Sequence, residues 1–215
     1  MTFSVPKIYP ILDAGAIPAA GREEFLRRLG GEMAAAGVRL MEYRNKTGTV
    51  EQIVADAAIL RAAMPAGQVK LILDDRADLI ERIGFDGVHV DAGDVSPSEA
   101  RRLVGPDRIV GTFGGNLELI TGILAEPADY FAVGPVWATV TKQTDLPLIG
   151  VEGVRRLREQ VGPDVVLTAV GGIKLETAPL VLEAGATAVA VVGAIFRAPH
   201  PAAEFRRWAS ALGSE

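Results

Sequence analysis

The segment GPVWATVTKQTDLP, residues 134–147, carries hydroxyls at Thr139, Thr141 and Thr144 and an ammonium at Lys142, and reaches its first carboxylate only at Asp145. Hydroxyls, a cation and glycine-freed backbone amides together make a place for an oxyanion, phosphate above all; a solvated loop is the plainer alternative. In MEYRNKTG, alternation of an extended chain puts Glu42, Arg44 and Lys46 on one side. A carboxylate and two cations then share a face, as a site or as a surface ion-pair ladder. Acidic residues follow in LDDRADL (Asp74 and Asp75) and HVDAGDVSPSEA (Asp91 and Asp94). Such a set suits Mg2+, which takes oxygen ligands, keeps several waters and is commonly shared with a diphosphate; helix caps and Asx turns are the competing explanation. Gly171 and Gly172 in AVGGIK, and Gly193 in AVVGAIF, would let backbone amides approach a ligand closely.

These groups need a scaffold that brings them to one place. Short β-branched runs alternate with helical segments along the whole chain, a pattern that demands a parallel sheet with helical crossovers. Strands are expected at KIYPIL, RLMEY, KLIL, GVHV, RIVGT, YFAV, VVLTAV and AVAVV. Helices are expected near Glu23–Ala36, Val50–Met64, Arg76–Ile83, Ser98–Val104, Asn116–Leu124, Val151–Gln160, Leu175–Ala184 and Ala202–Leu212. Eight strands with eight crossovers point to an α/β fold, a single-domain (β/α)8 TIM barrel over residues 1–215, more than to an open doubly wound sheet. GVRLMEYR, GFDGVHV, PADYFAV and GATAVAV each enter an even-numbered strand, at intervals of roughly 47, 43 and 58 residues. Each interval is about two βα units, the last stretched by the threonine-rich loop. In this fold the strand ends face one mouth, and the loops after strands seven and eight are the usual phosphate cradle.

Composition narrows the chemistry. With 49% hydrophobic residues, 23% charged and a net charge of −5, the chain has the makings of one large core and no run of like charge for nucleic acid or an anionic membrane. No cysteine is present, which excludes disulfides, thiolate catalysis and thiolate metal sites, and His89 and His200 alone form no histidine cluster. His89 lies in an apolar strand and reads as a core histidine; His200, between prolines, reads as a surface connection; the role of Trp137 is open. No leader or transmembrane segment is evident, so a soluble cytoplasmic protein is expected, and the sequence is compatible with a homo-oligomer.

Read in order, YPILD, EYRNK, DDRADL, GVHVDAGD, ADYFAVGPVWATVTK, AVGGI and AVVGAI resemble the thiamine phosphate synthase family from Tyr9 to Ile195, most specifically in G-P-x-x-x-T-x-T-K. The resemblance implies a TIM-barrel transferase that joins a hydroxymethylpyrimidine diphosphate to a hydroxyethylthiazole phosphate, releasing diphosphate with Mg2+ present. It implies partners that are phosphorylated small molecules, with no nucleic acid and no membrane. Carried over by position, Asp75 and Asp94 match the metal carboxylates. Arg44 and Lys46 match the diphosphate cations; Thr139, Thr141 and Lys142 match the phosphate and diphosphate loop; Gly171 and Gly172 match the thiazole-phosphate cradle.

The departures cluster around the pyrimidine and the diphosphate. The family has Gln at Glu42, Asn at Asp74, Gln at Ala92, Ser at Gly193, and G-x-S-x-H where this chain has Gly111-Thr112-Phe113-Gly114-Gly115. Glu42 can accept from an exocyclic amino group but can donate to a ring nitrogen only when protonated. Phe113 replaces a hydroxyl with a ring able to stack on a flat heterocycle. Three rival readings follow: a thiazole tautomerase, whose histidine falls at Gly114; a non-catalytic thiazole-phosphate binder; and a Schiff-base aldolase, for which no strand offers an interior lysine.

Overall fold

Strands of four to seven residues, apolar and buried on both faces, have no hydrophilic edge to present to water and are stable only when covered on each side. The computed structural model describes residues 4–139 and 145–213. Its strands are β1 (Ile8–Asp13), β2 (Leu40–Arg44), β3 (Lys70–Asp74), β4 (Gly87–Val90), β5 (Ile109–Gly115), β6 (Tyr130–Val133), β7 (Leu167–Val170) and β8 (Ala188–Val191). They pair in parallel, each with its sequence neighbours, and β8 closes on β1 through the register Ile8 with Val189 and Tyr9 with Ala190. The expected (β/α)8 barrel is therefore formed.

The helices are α1 (Arg22–Ala35), α2 (Val50–Ala63), α3 (Ile80–Ile83), α4 (Pro97–Val104), α5 (Leu117–Ile123), α6 (Gly150–Val161), α7 (Ala178–Glu183), α8 (Gly193–Phe196) and α9 (Pro201–Leu212). Among the helices that leave the mouth, α2, α4 and α5 start from side-chain caps. Thr49 Oγ1 accepts from Gln52 N at 3.2 Å, and Ser96 Oγ accepts from Glu99 N at 3.1 Å. Two helices are shorter than the spacing suggests. The Arg76–Ile83 segment is a 3-10 turn, Ala77–Leu79, followed by a single α turn. The segment expected from Leu175 becomes helical only at Ala178, where Pro179 sits in the first turn and has no N–H to lose. The short helix α8 was not expected, because four residues are too few for a periodic signal.

Two apolar layers hold the barrel. The interior is filled by Tyr9, Ile11, Leu40, Ile72, Ile109, Tyr130, Ala188 and Ala190, while the outer strand faces pack against the helices through residues such as Leu12, Met41, Leu71, Val88 and Leu167. The two-unit echo has a physical counterpart at the base. Arg61 of α2 donates to Met64 O and Val69 O, Arg101 of α4 to Gly105 O and Arg108 O, and Arg158 of α6 to Gly162 O and Val165 O. Each guanidinium also reaches the residue that opens an even strand, Asp86, Asp129 or Thr187. That residue in turn accepts from the backbone of the preceding odd strand, at Leu71 N, Val110 N or Leu167 N. One five-donor side chain thus satisfies the loop carbonyls of a whole αβ turn.

Candidate active site

Alternation along β2 turns Glu42 into the barrel and leaves Arg44 at its rim, with Lys46 just beyond the strand. Across the register, Glu42 lies between Ile11 of β1 and Ile72 of β3, so its carboxylate enters the interior among apolar neighbours. It is 3% exposed, and Tyr9 Oη donates to its Oε2 at 2.7 Å. Burial first, and the negative charge of Asp74 second, push its pKa up to about 8. The neutral form of Glu42 is therefore favoured, and in that form the carboxyl carries a hydrogen to donate.

A chain of hydroxyls extends from it. Tyr130 Oη lies 2.8 Å from Tyr9 Oη, and His89 Nδ1 lies 3.1 Å from Tyr130 Oη. The His89 ring stacks on Tyr130, with centroids 5.6 Å apart, and its Nε2 lies 3.8 Å from Asp91 Oδ1. Room for the Tyr130 ring comes from Gly111, where a Cβ would fall inside it. The expectation for His89 as a core histidine is half right: it is buried and hydrogen-bonded, yet it also lines the mouth.

The acidic and basic residues at the ends of β1 to β4 meet in one network. Arg44 pairs with Asp13 and has its Nε 3.6 Å from Asp74 Oδ2. Lys46 Nζ is 2.9 Å from Asp74 Oδ2, binds both oxygens of Asp75, and is 3.8 Å from Asp91 Oδ2. Burial raises the pKa of Asp74 to about 7 against the opposing pull of Lys46. Burial alone would lower Lys46, but Asp74 and Asp75 outweigh it and hold the ammonium above its ordinary value. Asp75 takes a left-handed backbone conformation, φ 69°, with its N–H bound to His89 O at 2.8 Å. A non-glycine residue held there costs on the order of 1 kcal/mol, a strain that concentrates at functional positions.

Oxygens of Asp74, Asp75 and Asp91 lie within 4.8 Å of one another. Three carboxylates against one ammonium and a shared guanidinium leave an excess of negative charge on hard oxygen donors. That donor set fits a hard divalent cation. Asp94, expected beside Asp75, uses Oδ2 to accept Asp91 N at 2.8 Å; burial and a hydrogen bond with Asp75 raise its pKa.

Two chambers open from this network. One, of about 460 Å3, runs from Tyr9, Glu42 and His89 to the β7 and β8 ends at Gly171, Gly172 and Gly193. The other, of about 890 Å3, lies over α4 and α5. Asp91, Phe113, Thr139, Val170 and Gly171 border both. Phe113 thus stands between two spaces, each able to take a flat ring. Gly171 and Gly172 have a structural duty as well, with φ of 99° and 64°. Cβ atoms there would come within 2.7 Å of Pro135 and 2.5 Å of Ala138 O, so the β6–α6 loop backbone packs directly on them. Trp137 belongs to that contact: its N–H binds Gly171 O at 3.0 Å and its ring packs against the core. Thr141 and Lys142 lie outside the described residues.

Several lining residues escape a reading of motifs. Tyr9 and Tyr130 look like core aromatics in sequence, and Asp13 looks like a strand-end cap. Thr168 is fully buried on β7, and its hydroxyl has no hydrogen-bond partner among the described residues. Arg197, on the far side of the mouth, carries no motif at all.

A family model described as thiamine monophosphate synthase matches residues 8–195. The thiamine-phosphate synthase of Koribacter versatilis (strain Ellin345) is 38% identical over 202 residues, 94% of each chain. That of Agrobacterium fabrum (strain C58) is 36% identical over 185 residues, 84% of each chain. The solved thiamine phosphate pyrophosphorylase from Pyrococcus furiosus superposes with a TM-score of 0.82 at 25% identity, covering 96% of this chain and 95% of that one. With the mouth built as described and its relatives agreeing over nearly the full length, the chain belongs to the thiamine monophosphate synthase family, transferases of thiamine phosphate synthesis.

Proposed function

We propose that this chain couples a hydroxymethylpyrimidine diphosphate to a hydroxyethylthiazole phosphate, releasing diphosphate, and that Mg2+ is required. The observation that carries the reading is the cluster of Asp74, Asp75 and Asp91 within 4.8 Å at the ends of two adjacent strands, threaded by Lys46. The carbon–oxygen bond to diphosphate breaks, its electron pair leaving with the diphosphate. The thiazole nitrogen lone pair then forms the new carbon–nitrogen bond to the pyrimidinylmethyl cation, giving a thiazolium. No general base is needed.

Asp75 and Asp94 are the carboxylates proposed for the metal, with Asp74 and Asp91 beside them. A divalent cation bound there would supply positive charge against the negative charge developing on the departing diphosphate. Arg44 and Lys46 hold the diphosphate from the β2 side, exchanging carboxylate partners for phosphate oxygens as substrate enters. Thr139, Thr141 and Lys142 are the proposed diphosphate contacts of the β6–α6 segment, and Gly171, Gly172 and Gly193 those of the thiazole phosphate. Glu42, protonated, offers a donor and an acceptor to an aminopyrimidine edge, while Asp74 and Phe113 bound the same ring. The enzyme is proposed to act in the cytoplasm on phosphorylated small molecules.

The test is direct. Purified protein with Mg2+ and both substrates should release diphosphate in step with a coupled product of the expected mass, and should stop doing so in chelator. Proton exchange on the thiazole without diphosphate would favour a tautomerase, and binding without turnover a binder.

A further inference from the structure

Gly193 has no side chain, and the structure shows what occupies the space beside it. Arg197, at the end of α8, folds back over Gly193: its Cδ and Nε lie 3.4 Å, and its Cζ 3.7 Å, from the point where a Cβ at 193 would sit. The guanidinium rests against bare backbone. Both residues border the smaller chamber together with Gly171, Gly172 and Lys174.

Charge separates this end of the mouth from the other. Arg44 and Lys46 are each committed to carboxylates. Among the described residues, none of the ion pairs involves Arg197 or Lys174. An incoming anion therefore meets a guanidinium here that need not first release a carboxylate. A planar fork of N–H donors matches phosphate oxygens two at a time.

We propose that Arg197 is the phosphate-holding residue of this chain, binding the phosphate monoester of the thiazole partner in the space that Gly193 leaves open. The nature of the partner rests on the function proposed above; the anion site itself does not. Calorimetric titration with inorganic phosphate, with hydroxyethylthiazole phosphate and with the dephosphorylated alcohol tests it in wild type, R197A and R197K. R197A should weaken both phosphate-bearing probes about tenfold or more, R197K should weaken them less, and the alcohol should bind all three proteins equally. In coupling assays the R197A KM for the thiazole phosphate should rise while kcat is kept. Unchanged phosphate affinity in R197A, or an equal loss of the alcohol, would overturn the assignment. Absence of diphosphate release from a wild type that still binds phosphate through Arg197 would overturn the proposed reaction and leave the anion site standing.

Discussion

Tyr9 Oη donates a 2.7 Å hydrogen bond to Glu42 Oε2 inside the barrel, joining two almost wholly buried side chains that are 33 positions apart. A buried carboxyl with one donor and the charge of Asp74 nearby holds its proton more tightly than a free one.

Glu42 has a folded pKa of about 8 against an ordinary 4.5, so the folded chain holds a proton that the unfolded chain gives up between those values. The sign follows: the contribution is fully present below the unfolded pKa and is lost as pH rises through the folded one. In urea titrations with chelator present, wild type should lose stability relative to E42Q on going from about pH 5 to about pH 8, by a few kcal/mol at most. Parallel curves for the two proteins would mean that Glu42 is ionised throughout.

Asp75 combines a strained backbone with a place in the carboxylate cluster. Asparagine tolerates the left-handed conformation as aspartate does, so D75N should fold normally while losing a charge. Turnover at saturating substrates is expected to fall at least about a hundredfold, with a raised Mg2+ requirement. Equal activity and equal Mg2+ dependence in wild type and variant would remove Asp75 from the metal set.

Lys142 is the one cation of the threonine-rich segment 134–147. K142A should lower kcat by about a hundredfold or more with an unchanged circular dichroism spectrum. A variant turning over like wild type would count decisively against a diphosphate-holding role for this loop.

Asp86 serves the base of the barrel, accepting from Arg61, Lys70 and Leu71 N. D86A leaves a partly buried guanidinium and a strand N–H without their acceptor, at an expected cost of about 2–4 kcal/mol in denaturant unfolding. KM for both substrates should not move, because the residue lies at the end of the barrel opposite the mouth. A shift in KM without a loss of stability would contradict that separation.

The barrel was legible because its causes are local. Runs such as YFAV and AVAV can be satisfied only as buried strands, and a strand at each two-unit echo leaves little choice but closure. Alternation likewise sends Glu42 and Arg44 toward one mouth, and adjacent βα turns put Asp74, Asp75 and Asp91 there as well. What alternation cannot state is which charge meets which. That Lys46 sits between Asp74 and Asp75, that Asp13 takes Arg44, and that Arg197 is left to lie over Gly193 depends on register between strands and on the reach of long side chains. The same holds for the line from His89 through Tyr130 and Tyr9 to Glu42, whose members come from four strands. Hydrophobic pattern selects the fold because burial is additive along the chain; the site was decided by tertiary structure because hydrogen bonds and ion pairs depend on distances that no local pattern contains.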